Sequence, residues 1–140
     1  MTEDASVNVE VPEDVVERIR ALCVALPEVT VRVDQSRIAA RSTAWSYEIR
    51  RRSFCLLVAR ADPAGAAVSV LVLRVDSDER KALLAGGHPF FPSRAGRDRI
   101  GVVLDDGTDW TEIRELVTDS YRTLAQIGRA SCRERVFALV

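Results

Sequence analysis

The sequence predicts a two-layer α+β fold, in which helices near both ends of the chain pack on one face of an antiparallel sheet. Three observations predict it: an apolar stripe at helical spacing near each end, alternating segments between the two stripes, and tight turn signals that separate those segments. Such short turns join antiparallel neighbours, because parallel strands need a longer crossover. At 140 residues the chain is long enough for one domain with a real core.

The first helix begins at Pro12, since proline is favoured at a first helical position. Glu13 and Asp14 follow in the first turn, where negative charge is favourable. Apolar residues then fall on one face of this helix, at Val15, Ile19, Leu22, Cys23 and Leu26. Pro27 ends it.

The middle of the chain carries most of the strands. Alternating or continuous apolar segments predict strands, in chain order, at 29–33, Trp45–Ile49, Phe54–Arg60, Val68–Val75 and Ile100–Leu104. Residues 38–41 fit either a strand or irregular structure. Turns are predicted at 50–53 and at Asp62–Gly65. The segment Val68–Val75 is nearly apolar on both faces, which is typical of a central strand with cover on both sides.

Two further helices are indicated by capping patterns. Asp76 and Glu79 form a D-x-x-E pattern that opens a short helix, and Gly86-Gly87 closes it. Residues 88–99 then read as a long loop. A second D-x-x-E pattern at Asp109 opens the final helix. Its apolar face is formed by Trp110, Ile113, Leu116, Val117, Tyr121 and Leu124.

The chain divides into an acidic leader at 1–10, a single domain at 11–125 and an atypical tail at 126–140. Residues 126–135 break the helical stripe with Gly128 and several polar residues. They also resemble a peptide that cloning leaves at the ends of unrelated translated sequences. We therefore suspect non-native sequence in the tail and exclude it from the fold prediction.

Composition indicates the cellular compartment and the class of protein to expect. No apolar run approaches the roughly 20 residues that a membrane span needs. The acidic start of the chain lacks the basic and apolar stretches of a signal peptide, so we expect a cytoplasmic protein. Cys23, Cys55 and Cys132 lie far apart and form no C-x-x-C motif, which favours buried thiols over a disulfide framework or a zinc site.

The sequence carries no recognisable catalytic motif. His88 is the one histidine, and neither a nucleophile motif nor a cysteine lies near it in the chain. The glycines at 96–101 do not form a phosphate-binding motif, and no ligand set for a metal is apparent. We therefore expect a non-enzymatic protein that needs no cofactor and no metal.

Basic residues are concentrated in the middle of the chain. The net charge is −1, but residues 41–99 hold eleven basic and six acidic side chains, for a net charge of +5. Two clusters stand out, one at the predicted hairpin tip and one in the long loop. They comprise Arg50, Arg51 and Arg52 in the first and Arg94, Arg97 and Arg99 in the second. Arginines on exposed loops can bind phosphates bidentately, so these six are candidate nucleic-acid-binding residues.

A plainer interpretation of the same residues stays open. Nineteen of the twenty basic residues are arginine, which is consistent with a compositional bias of the genome. Three arginines in a turn then form ordinary solvated surface, and Phe90 and Phe91 belong to the core. Nothing in either cluster predicts base-specific contacts, so binding to DNA would be weak and sensitive to salt.

The chain also resembles the MmcQ/YjbR-like family of small bacterial proteins, over roughly residues 11–125. The matching segments are Val11-Pro12-Glu13-Asp14, Leu26-Pro27-Glu28, Trp45, Phe54, Leu73-Arg74-Val75-Asp76, Glu79-Arg80, Leu83-Leu84, Pro89-Phe90, Leu104, Asp109-Trp110, Glu115-Leu116-Val117, Ser120-Tyr121-Arg122 and Ala125. The chain departs from the pattern at the hairpin tip, which is usually closer to Gly-Lys. It also lacks the expected proline and basic pair after Ala125.

The resemblance implies a frataxin-like (CyaY-like) architecture, with an antiparallel sheet covered by helices. It also implies a double-wing arrangement that has been taken as DNA-binding by analogy of fold. The first wing corresponds to the hairpin with Arg50–Arg52, and the second to the loop with His88, Arg94, Arg97 and Arg99. Iron binding, which a frataxin-like fold suggests, is not expected, since the first helix carries too few acidic residues.

Two other functions remain open. The first is a protein-interaction or homodimerisation module that uses a sheet face without helical cover. The second is a small-ligand site under the Pro89-Phe90 loop, lined by Trp45, His88, Phe90 and Trp110. A continuous basic ridge that joins the two arginine clusters would favour DNA, an exposed apolar sheet face would favour a protein partner, and a deep pocket would favour a ligand.

Overall fold

The computed structural model describes residues 10–36 and 42–139, with side chains described for 10–35 and 43–126. The elements are α1 (Glu13–Val24), β1 (Thr30–Ser36), β2 (Ser42–Ile49), β3 (Arg52–Ala61), β4 (Ala67–Arg74), α2 (Ser77–Ala85), β5 (Phe90–Pro92), β6 (Arg99–Leu104) and α3 (Trp110–Leu139). The predicted α+β class is confirmed. The alternative at 38–41 lies outside the described residues.

The six strands form one sheet in the order β1-β2-β3-β4-β6-β5, and every neighbouring pair is antiparallel. Short turns join β2 to β3 and β3 to β4, as their turn signals predict. The connection from β4 to β6 contains α2 and the edge strand β5, and β6 then pairs with β4.

The core lies between one face of the sheet and the helices α1 and α3. Helix α1 buries Ile19 and Cys23, and α3 buries Ile113, Val117 and Leu124. The sheet contributes alternate residues of its strands to this core, among them Tyr47, Leu57, Leu71, Leu73 and Val102. The alternation follows from the pleat, which points successive side chains to opposite faces.

The opposite face, which we call the open face, carries Leu56, Val58, Val72, Val103 and Phe91 around Val70, which is 3% exposed. All five side chains are partly exposed. None belongs to the core cluster or to the residues packed against it. The strand at Val68–Val75 is central, as predicted, but no described helix packs on its second face, where Val70 is 3% exposed and Val72 is partly exposed.

Several boundaries differ from the sequence prediction: α1 ends at Val24, before Pro27, and β1 extends to Ser36. Arg52 is the first residue of β3 and not part of the turn, since it pairs with Ile49. The segment Phe90–Pro92, predicted as loop, forms the edge strand β5. Three residues are too few to show a periodicity, which is why the pattern missed this strand. Helix α3 also continues past Ala125 to Leu139, through the segment whose stripe is broken.

Candidate nucleic-acid interface

The first arginine cluster forms the tip of the β2–β3 hairpin. Arg50 and Arg51 are the turn residues and both are exposed, with φ angles of 54° and 67°. Two successive positive φ angles are typical of a type I′ turn, the turn whose twist matches a two-residue hairpin. Arginine is unusual there, because glycine and asparagine adopt positive φ angles at a lower energetic cost than residues with long side chains. Arg52 follows on β3 and is also exposed.

The second cluster lies in the loop that joins β5 to β6. Pro92 pairs with Ile100, so residues 93–98 form the connection of an antiparallel hairpin. Arg94 and Arg97 are exposed in this loop, and Arg99 begins β6. A side chain of α2 holds this segment in place, because Nε of Arg80 donates to the carbonyl oxygen of Arg99 over 2.9 Å.

The two clusters lie at the same end of the sheet, and Arg74 connects them. This residue ends β4 and pairs with Arg99 across the β4–β6 ladder. Its Nε donates to the carbonyl oxygen of Ser53 over 2.8 Å, at the start of β3. Its Nη1 lies 3.3 Å from Oδ2 of Asp98. The Arg74 side chain therefore contacts the first hairpin and the second loop at once.

We call this surface the basic edge. It consists of Arg50, Arg51, Arg52, Arg74, Arg94, Arg97 and Arg99. Arg74 was not a candidate in the sequence, although one signal was present: it is the charged residue that ends an otherwise apolar strand.

The electrostatics of Arg74 reflect this crowding of like charges. Burial lowers the pKa of its guanidinium, and the nearby charge of Arg99 lowers it further, while Asp98 opposes both and Arg52 adds a smaller lowering. The side chain of Arg74 is 12% exposed and that of Asp98 is 62% exposed. The Asp98 carboxylate also lies 3.8 Å from Nε of Arg99. One exposed carboxylate thus sits between two arginines.

Ser120 of α3 fixes this end of the sheet from the core side. Its hydroxyl accepts from the backbone N–H of Arg74 over 2.9 Å and donates to the carbonyl oxygen of Phe54. The residue is fully buried. One helix residue therefore holds the start of β3 and the end of β4 together, and with them the backbone that carries Arg52 and Arg74.

His88 lies away from the basic edge. It precedes β5, whereas Arg94 follows β5, so the short strand carries the two residues to opposite ends of the sheet. Its Nε2 lies 3.2 Å from Oδ2 of Asp105, and both side chains are exposed. The implied second wing with His88, Arg94, Arg97 and Arg99 is thus divided, and only the arginines face the first hairpin.

The four residues of the predicted ligand site are not brought into one cavity. His88 lines a groove of about 500 Å³ beside Asp105 and Ile113. Trp110 lines a neighbouring groove of about 560 Å³, where its ring lies 5.0 Å from the guanidinium carbon of Arg18. Trp45 and Phe90 instead pack against the hydrophobic core.

Two of the three cysteines lie next to each other, which their spacing in the sequence did not indicate. Cys23 of α1 and Cys55 of β3 are both buried and free. Burial raises the pKa of the Cys55 thiol, and a hydrogen bond with Cys23 raises it further. Among the residues that the structure describes, no group of three or more His, Cys, Asp or Glu side chains could hold a metal ion.

A comparison with family models matches the chain to the YjbR family over residues 24–123. The chain belongs to the YjbR family. The matched region covers all six strands and α2, and it includes both hairpins of the basic edge. Comparisons with curated proteins and with solved structures find no match. None of the described helices of this YjbR-family chain is both long and apolar enough to cross a membrane.

Proposed function

We propose that this YjbR-family protein is a non-enzymatic DNA-binding protein that contacts the phosphate backbone through its basic edge. The observation that carries the proposal is the position of Arg74, which lies between the two arginine clusters and contacts Ser53 beside the first and Asp98 beside the second. Exposed arginines at one end of the sheet suit a row of phosphates, since each guanidinium can donate two parallel hydrogen bonds.

The backbone of the hairpin tip supports the same proposal. Arg50 and Arg51 occupy positive φ angles that asparagine and glycine adopt at lower cost. A residue that is kept in an unfavourable conformation points to a role other than turn formation. At the tip of a hairpin, that role is contact with a partner.

The expected affinity is modest. Backbone contacts alone give dissociation constants of about 10⁻⁴ to 10⁻⁶ M at physiological salt. Binding should weaken steeply as salt rises, because each phosphate contact releases counterions. Little preference between DNA sequences is expected, since phosphates carry no sequence information.

The test is fluorescence anisotropy of a labelled DNA duplex, titrated with the full chain over a series of salt concentrations. The variant Arg50→Asn/Arg51→Gly removes two charges and supplies residues that suit the turn. It should bind more weakly, and its salt dependence should become shallower by about 0.9 for each phosphate that is no longer neutralised. A matched control, Arg20→Ala/Arg122→Ala, removes two exposed arginines from the helices, whose side chains are 61% and 67% exposed.

Either of two results would count against DNA binding at the basic edge. One is the absence of any binding by the wild-type chain at low salt. The other is an equal loss of affinity in the hairpin variant and in the helix control, because equal losses would reflect overall charge. The C-terminal tail is present in every chain compared, so its arginines do not distinguish them.

The open face supports a second candidate, a protein-interaction module. Leu56, Val58, Val72 and Val103 lie around the buried Val70 on adjacent strands, and Phe91 lies over Gly101 at their side. Partly exposed apolar patches of this kind mark interaction sites in soluble proteins. A substitution at the centre, Val72→Asp, should reduce binding of a hydrophobic dye without unfolding the chain. Unchanged dye binding would argue against this candidate.

A further inference from the structure

The two edges of the sheet differ in a way that bears on assembly. At one edge, β5 is only three residues long and ends in Pro92, which are two devices that protect a sheet edge from pairing. At the other edge, β1 runs for seven residues and contains neither proline nor glycine. Within the described ranges, β1 has a neighbour on one side only.

Strand β1 also exposes apolar side chains. Val31 is 46% exposed and Val33 is 54% exposed, and both fractions are high for apolar side chains of a strand. They lie on the same sheet face as Tyr47 and Trp45, their partners on β2. The core therefore ends one strand short of this edge, and β1 keeps apolar area that a further strand would cover.

The charges of β1 are self-complementary. Arg32 and Asp34 flank Val33 and lie on the same face, where Nε of Arg32 is 3.2 Å from Oδ2 of Asp34 and 3.6 Å from Oε2 of Glu48 on β2. In an antiparallel pairing of two β1 strands centred on Val33, each Arg32 lies opposite Asp34 of the other copy. The same register places Val33 opposite Val33 and Thr30 opposite Ser36. A shift of one or two residues loses the opposition of Arg32 and Asp34.

We propose that this protein forms a two-fold symmetric homodimer in which the β1 strands pair antiparallel about Val33. The contact supplies backbone partners along the free side of β1, covers the central valines and pairs opposite charges twice by symmetry. Assembly stops at two copies, since the opposite edge of each sheet is the short strand β5. The contact does not use the basic edge or the apolar residues of the open face, although Arg32 and Asp34 lie on the same side of the sheet as Leu56.

The test is sedimentation equilibrium of the full chain from micromolar to millimolar concentration. The variant Arg32→Asp places two acidic residues opposite each other at two symmetric positions. The dimer dissociation constant should rise by about tenfold or more, as expected for two cross-strand pairs that change from attraction to repulsion. The double variant Arg32→Asp/Asp34→Arg restores the opposition with the signs exchanged, and its dissociation constant should return toward the wild-type value.

A matched control separates this pairing from a general effect of charge. Arg20→Asp makes the same change in charge at a helix residue of similar exposure, 61% against 66% for Arg32, and should leave the dimer unchanged. Circular dichroism of each variant checks that the chain is folded.

Three outcomes would overturn the β1 dimer. The wild-type chain could remain monomeric throughout the concentration range. The double variant could stay as weak as Arg32→Asp, which would show that the register is different. A dimer that resists Arg32→Asp but is abolished in Val72→Asp would place the contact on the open face. None of these depends on whether the basic edge binds DNA.

Discussion

The carboxylate of Asp98 bridges Arg74 and Arg99, with Oδ2 at 3.3 Å from Nη1 of Arg74 and Oδ1 at 3.8 Å from Nε of Arg99. In the proposed complex with DNA, a phosphate group would compete with this carboxylate for the two arginines. Because Asp98 is exposed, it can turn away when another anion arrives. Asp98 therefore offsets part of the positive charge of the basic edge in the free protein.

The variant Asp98→Asn tests this relationship. Removing the carboxylate should strengthen binding to duplex DNA and make its salt dependence steeper by up to about 0.9, since one more arginine becomes available to a phosphate. The measurement is the anisotropy titration over a salt series. Asp78→Asn, an exposed acidic residue in the first turn of α2, is the matched control. If both variants bind alike, Asp98 has no special relation to the bound backbone.

Substitutions at the hairpin tip should change stability and the proposed DNA affinity in opposite directions. Arg50→Asn/Arg51→Gly replaces two residues at positive φ by residues that favour it, so the free energy of unfolding should rise by about 1 kcal/mol. The proposed DNA affinity should fall in the same variant. Urea denaturation measures the first quantity and anisotropy the second. A loss of stability would mean that the arginines make contacts that matter to the fold.

Ser120 should contribute to stability through two backbone groups. In Ser120→Ala the N–H of Arg74 and the carbonyl of Phe54 lose their partner in a buried site, which should cost about 1–3 kcal/mol of unfolding free energy. Thr118→Ala is a control, since the Thr118 hydroxyl only donates to a carbonyl of its own helix. Urea denaturation of both variants measures the difference, and equal losses of stability would contradict the bridging role of Ser120.

Gly101 is needed because of Phe91. A Cβ atom at residue 101 would overlap the Phe91 ring, which lies across the strand. Gly101→Ala should therefore lower the free energy of unfolding by about 1–3 kcal/mol, because the ring must move. Gly107→Ala is the control, since the nearest atom to its new Cβ is an Asp105 oxygen at 3.5 Å. A small effect at Gly101 would show that Phe91 repacks without cost.

The buried hydroxyl of Tyr47 should matter mainly at high pH. The group has no hydrogen-bond partner among the described residues, so Tyr47→Phe should change stability at neutral pH by no more than about 1 kcal/mol. Burial, and then the charge of Cys23, raise the pKa of Tyr47 above its ordinary value of 10.0. The unfolded chain therefore releases this proton first, and stability should fall as pH rises above about 10.

Thermal melts of wild type and Tyr47→Phe at several pH values measure this dependence, which should be smaller in the variant. Tyr121→Phe is a useful contrast at neutral pH. The Tyr121 hydroxyl donates to the carbonyl oxygen of Pro27 over 2.9 Å, so its loss should cost about 1 kcal/mol. An identical pH profile for wild type and Tyr47→Phe would show that folding does not shift the pKa of the Tyr47 hydroxyl.

The main elements of this chain could be predicted from local patterns, because each pattern has a local cause. Pro12 and the acidic residues after it mark the start of α1, and Asp62–Gly65 marks the turn between β3 and β4. Alternation indicated the strands, since the pleat sends neighbouring side chains to opposite faces. Belonging to the YjbR family also follows from the sequence, over residues 24–123.

What the sequence could not provide is the arrangement of residues that are far apart in the chain. Because β5 is too short for a visible period, His88 and Arg94 read as parts of one loop, although the strand between them spans about 10 Å. The order of strands in the sheet places Arg74 between the two arginine clusters, and the packing of α1 places Cys23 beside Cys55. Local patterns determined the elements, whereas the surface they form was decided by strand order, which depends on long-range pairing.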